Sequence, residues 1–205
     1  MKSTYAGSVN EHTSPSPEPS GQGPAGADPA ADISSVPPET KDWTAVLGRG
    51  CRQCGFEPGF DVETVGWRIR MSLPVWQEVL ARPRLSQRPD GNTWSTLEYA
   101  AHVSELHQVF RERLALMLDQ DDPEFPDWDQ DAAAIEQEYN RQDPAEVARQ
   151  LRAEGEKTAA AWDAVQGEQW ERTGRRGDGK VFTVRSLAEY FAHDLMHHRV
   201  YDVKA

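Results

Sequence analysis

The 205-residue chain is 38% hydrophobic and 27% charged, which suits one globular domain with some chain left over rather than two full domains. A formal net charge of −12 argues against nucleic acid and against an anionic membrane surface, since both need a surplus of Lys and Arg on some face. Two Cys, no apolar run long enough to cross a bilayer and no apolar centre in the N-terminal stretch point to a cytoplasmic protein, not a disulfide scaffold or a secreted or membrane-spanning one.

In chain order, residues 1–40 are rich in Pro, Ser, Gly and Ala and poor in large apolar side chains. Such a segment buries too little surface to offset its ordering entropy and reads as a disordered tail. Residues 41–205 read as the folded domain. It opens on a loop-rich lead-in, "DWTAVLGRGCRQCGFEPGF". A first helix follows over 61–82, kinked or interrupted before Pro74, and then a loop over 82–94. The second helix runs from Ser95 to about Asp119, with Tyr99, His102, Leu106, Val109, Phe110, Arg113 and Met117 on one face. In the long acidic linker after it, Trp128 and Tyr139 are the parts expected to be buried. The third helix spans 143–165, capped by Asp143 with Pro144 at its first position. A Gly/Arg-rich loop with a short extended stretch at "KVFTV" leads to a fourth helix from Ser186 to about Val203. No convincing strand pair is visible, so the expected fold class is all-α, a four-helix bundle. The seven Trp would serve as large core anchors or as a pocket wall.

Two helix starts share a pattern: Ser95-Thr96-Leu97-Glu98 and Ser186-Leu187-Ala188-Glu189. Both read as capping boxes, with the Glu residues serving backbone N–H groups. Neither helix carries Glu-x-x-His, so the di-iron pattern of ferritin-like bundles is not met. Each start is followed seven residues later by a histidine, His102 or His193. His193 and His197 lie four apart, on adjacent turns of one helix face. His102 sits on an apolar stripe, where an unpartnered ring would cost about 1–3 kcal/mol. Two readings stay open: core or surface histidines, or a metal site of His102, His193 and His197 with an open fourth position, as in catalytic zinc sites. Nickel or ferrous iron suits the same imidazoles. His107 falls toward the solvent side of its helix, and His12 lies in the tail. His198 and Asp194 form either a hydrogen-bonded pair supporting the ligands or part of the bundle boundary. Arg113 is either an ion-paired boundary residue or a binder of a substrate carboxylate. Cys51 and Cys54 resemble half of a zinc ribbon without its second Cys pair. They read as a structural turn with Gly55, part of a structural metal site, or a redox pair.

The Trp94-Ser95 start, "EYAAHV" on the second helix and "YFAHDLMHHRVYDV" on the fourth resemble the DinB/YfiT-like metalloenzyme superfamily. So do "CRQCGF", "FPDWDQD" and "RTGRRGDGKVFTV", which are similar to its actinobacterial DinB-family branch, over roughly 42–203. The resemblance implies a bundle of up-down-down-up order with a long crossover between helices two and three. It implies His102, His193 and His197 as metal ligands near one end of the bundle, with Trp128, Asp129 and Tyr139 of the linker at the pocket rim. The cysteine pair, at the start of the first helix, is then expected at the opposite end.

Characterised members of that family use a divalent metal to activate a low-molecular-weight thiol, mycothiol or bacillithiol, for transfer or isomerisation. The resemblance therefore implies a thiol S-transferase with a small-molecule substrate, zinc as the first metal and mycothiol as co-substrate. A metal-water hydrolase and a non-catalytic, stress-associated metal-binding bundle are the competing readings. A homodimer is compatible with all three.

Overall fold

Four helices carry the core of the computed structural model, which describes residues 36–205. Most of the expected tail, and His12 with it, lies outside the described residues. The helices are α1 (Val65–Val79), α2 (Thr96–Asp119), α3 (Pro144–Asp163) and α4 (Val184–His197). Their entrances follow local chemistry. The Ser95 hydroxyl accepts from the Glu98 amide and the Glu98 carboxylate accepts from the Ser95 amide, which closes the expected capping box. Asp143 caps α3 by accepting from the Ala145 amide, with Pro144 at the first position. The expected break before Pro74 does not occur. Leu73 and Trp76 on either side are buried, and that burial holds α1 helical through the proline.

α3 packs against both α1 and α2. Gly155 of α3 lets Leu73 of α1 approach so closely that an added Cβ would lie 2.4 Å from its Cδ2. Arg70 pairs with Asp163 and Gln77 donates to the Ala148 carbonyl, so α1 and α3 run antiparallel. Phe110 of α2 stacks on Phe191 of α4 at 4.7 Å, and His102 meets His198 further toward the start of α2, so these two helices are antiparallel as well. Both pairings are those that an up-down-down-up order requires. Among the described residues no helix is long and apolar enough to cross a membrane.

Three expectations need correction. A small sheet exists: β1 (Glu124–Phe125) lies parallel to β2 (Thr173–Arg176), which pairs antiparallel with β3 (Val181–Thr183). Its strands are too short to show an alternating pattern, and β1 comes from the crossover, far from its partners in sequence. The linker is also more structured than a charged loop. It holds a short helix (Gln130–Glu136) and buries Phe125, Ala133, Ala134 and Asn140 besides Tyr139, while Trp128 is half-buried.

Finally, α4 starts earlier than expected. The Thr183 hydroxyl accepts from the Ser186 amide and Ser186 Oγ accepts from the Thr183 amide, so Thr183 is the cap. Glu189 is then no capping residue; it accepts from the Gly59 amide at 2.8 Å. The end of α4 widens into a π-type turn over His198–Asp202, a distortion common at functional sites.

Candidate metal centre and adjoining cleft

The lead-in places its cysteines by a tight turn. Gly50 and Gly55 both take positive φ (69° and 77°), and a Cβ at Gly50 would come within 2.6 Å of the Phe56 carbonyl oxygen. The Cys51 amide donates to that carbonyl and the Gly55 amide to the Cys51 carbonyl, both at 2.9 Å. This folds the segment so that both sulfurs face α4. There the side chains of Cys51, Cys54, His193 and His197, all buried, bring one ligand atom each to within 4.8 Å of one another. Cys51 Sγ lies 3.6 Å from His197 Nδ1. Two ligands of one tetrahedral zinc, at typical Zn–S and Zn–N distances, would stand roughly 3.5 Å apart.

The surroundings fit a ligand set. His193 turns Nδ1 toward Asp194 Oδ1 at 3.1 Å, which leaves its buried Nε2 without a hydrogen-bond partner among the described residues. A carboxylate behind a ligating imidazole is the usual support for metal coordination. His197 has Asp202 Oδ2 3.9 Å from its Nε2, beyond direct hydrogen-bond range. Trp43 covers both imidazoles, with ring centroids 5.3 and 4.6 Å away, and Phe56 packs edge-on against His193. Burial raises the Cys51 thiol, but the Cys54 amide and His193 outweigh it and bring the pKa down to about 7. Burial pushes the Cys54 thiol up to about 11 and brings His197 down to about 4. For His193, burial is outweighed by Asp194 and Cys51, and its pKa is raised.

A second histidine cluster adjoins the first. His102 Nε2 and His198 Nε2 are 3.1 Å apart, and His198 Nδ1 donates to Asp202 Oδ2 at 2.8 Å. That donation leaves His198 Nε2 as a lone pair aimed at His102. His102 is buried, with Trp128 stacked flat on it at 5.1 Å and Trp94 edge-on at 5.4 Å. Burial, then the neighbouring His198, hold its pKa well below the ordinary histidine value. His198 lines a cleft of about 370 Å³, together with Trp43, Trp94, Tyr99, Asp194 and Asp202. That volume lies within the roughly 300–1,000 Å³ of small-molecule sites.

The expected three-histidine set is therefore divided. His193 and His197 face the cysteines, whereas His102 faces His198. The cysteine pair does not sit at the opposite end of the bundle: the lead-in before α1 doubles back onto the end of α4. His198 and Asp194 also separate, Asp194 supporting His193 and His198 bonding to Asp202. His107 is not on the solvent side; it is buried against Phe191 because α3 covers that face of α2. Asp129 caps the Gln130–Glu136 helix and Tyr139 donates to Glu105, while Gln130 and Asp131 line the cleft in their place. Buried Arg113 donates to the Pro126 carbonyl at 3.3 Å and packs over Phe110 and Phe125. Sequence reasoning missed Asp202, Tyr99 and Trp43 as parts of this region. For Asp202 a signal existed, since it follows His198 by four residues.

Comparison with known proteins places this geometry in context. The family model described as the DinB superfamily matches residues 52–201. Among curated proteins none matches the sequence. Among solved structures the chain is similar to YfiT from Bacillus subtilis, described as having an unusual four-helix bundle topology. The TM-score is 0.53 and the identity 20%, over 67% of this chain and 78% of YfiT. At that identity the likeness establishes the fold.

Proposed function

Because the chain belongs to the DinB superfamily, we propose that it is a metal-dependent enzyme that activates a small nucleophile at the His102–His198 pair, of which His198 lines the cleft and His102 is buried beside it. The carrying observation is the approach of the two Nε2 atoms to 3.1 Å from helices far apart in sequence. Two nitrogen ligands of one tetrahedral ion would stand roughly 3.3 Å apart, so little movement is needed. Asp194, one turn before His198, lines the same cleft with its Oδ1 bonded to His193. His102 and His198 would hold a divalent ion, zinc first with nickel or iron as alternatives, which when bound would lower the pKa of a thiol or water toward neutral pH.

The residues around it do the remaining work. Asp202 fixes the tautomer of His198, so that Nε2 keeps its lone pair. Burial keeps His102 neutral and therefore able to donate a lone pair. Trp128 and Trp94 hold its ring and exclude water. Tyr99 and Trp94 form an aromatic wall for the organic part of a substrate. The thiol reading makes a mycothiol-type thiol the nucleophile and the protein an S-transferase. Hydrolysis is the second reading, favoured by the description of YfiT as a probable metal-dependent hydrolase.

The test compares wild type with His102→Ala and His198→Ala, metal-loaded, on a panel of electrophiles with and without the thiol. Thiol-dependent turnover that falls at least about 100-fold in both variants supports transfer. Thiol-independent turnover with the same loss supports hydrolysis. Turnover unchanged in both variants contradicts the assignment of this pair as the active site.

A further inference from the structure

The cysteine–histidine cluster remains outside this proposed chemistry. We propose that Cys51, Cys54, His193 and His197 form a closed structural zinc site that fastens the lead-in to the end of α4, separate from the catalytic pair. Four protein ligands of the Cys₂His₂ type complete a tetrahedral shell and leave no position for substrate, unlike a catalytic site with three. His193 and His197 border the cleft, yet both are almost wholly buried. Trp43 lies over both imidazoles, and both sulfurs are buried.

Three independent features point to an ion rather than to a chance cluster. Among the described residues the buried His193 Nε2 has no hydrogen-bond partner, while its Nδ1 is held by Asp194. Cys51 Sγ and His197 Nδ1 stand 3.6 Å apart, close to the separation of two ligands on one tetrahedral zinc. Both cysteines are free thiols, so no disulfide competes for them.

The site has a consequence for the cleft. Residues 36–43 carry Val36, Glu39, Lys41 and Trp43 along its edge. Within this strap, Glu39 accepts from the Trp43 indole and donates its amide to Asp131, while Lys41 lies 3.4 Å over the Trp43 ring. Anchoring Cys51 and Cys54 to α4 therefore holds Trp43 and the strap against the cleft. The zinc site thereby supports one wall of the cleft, which His193 and His197 themselves help to line.

The experiment loads the full chain with cobalt(II) in place of zinc and reads its absorption, beside thiol-reagent labelling of apo and zinc-loaded protein. The expected results are thiolate-to-cobalt charge transfer, tetrahedral d–d bands, and labelling of both cysteines slowed at least about tenfold by zinc. The same signals should persist in the His102→Ala/His198→Ala double variant, which keeps this test apart from that of the catalytic pair. Cobalt spectra without thiolate charge transfer, or labelling equally fast with and without zinc, would overturn the proposal. So would loss of the charge-transfer band in the His102→Ala/His198→Ala variant with its fold intact. Because these readings use wild type first, they do not depend on whether a Cys51→Ser/Cys54→Ser variant folds.

Discussion

His107 shows how far a single residue can be read from sequence. Its position five residues past His102 pointed to solvent, yet it is buried with neither ring nitrogen hydrogen-bonded among the described residues. Helical spacing places a residue on a face, but which neighbour covers that face is a tertiary fact, and here α3 covers it. Burial, then Arg111, bring the His107 pKa down to about 3. An unfolded histidine titrates near 6.5, so between those values the unfolded chain binds the extra proton. Stability from this site is therefore full above about pH 6.5 and declines as pH falls toward 3, by at most about 1.4 kcal/mol per unit. A His107→Leu variant should show a shallower loss of stability in urea unfolding series between pH 7 and 4. An acid limb as steep as that of wild type would contradict the assignment. The other histidines follow the same logic. The i,i+4 spacing correctly put His193 and His197 on one face, but their partners come from a lead-in whose path no periodicity reveals.

At the scale of elements, local signals were legible and long-range ones were not. The caps at Ser95 and Asp143 follow from a few adjacent residues, and α2 and α3 begin where those signals place them. The two-residue β1 and the early start of α4 depend on partners or caps that the Ser-x-x-Glu pattern obscured. Glu98 has a wider role than its capping box. Arg88 donates to both its carboxylate oxygens, at 3.0 and 2.5 Å, and Asn140 Nδ2 donates to it at 3.3 Å. One buried carboxylate thus joins the 82–94 loop, the start of α2 and the crossover, around the His102 end of the cleft. Removing one side of a buried pair strands the other charge and costs about 3–5 kcal/mol. Arg88→Met should lower stability by that amount in denaturant titration. A loss under about 1 kcal/mol would show that Ser95 and Asn140 suffice for Glu98.

For the whole molecule, composition and helical periodicity were enough to indicate an all-α bundle, and the family resemblance supplied an order with which the two antiparallel helix pairs agree. The candidate site was legible in its residue types but not in its grouping. All six residues of the two clusters, Cys51, Cys54, His102, His193, His197 and His198, stood out in the sequence. What sorted them was the return of the lead-in onto α4, where His193 and His197 meet the cysteines while His198, the next residue along the helix, meets His102. The central claim is this division into a sulfur-containing site and a histidine pair. X-ray absorption at the zinc edge, on the full chain loaded with one equivalent of zinc, tests it most directly. Two sulfur ligands at about 2.3 Å and two nitrogens at about 2.0–2.1 Å are the expected shell. A shell of nitrogen and oxygen alone would contradict the division and return the ion to His102, His193 and His197.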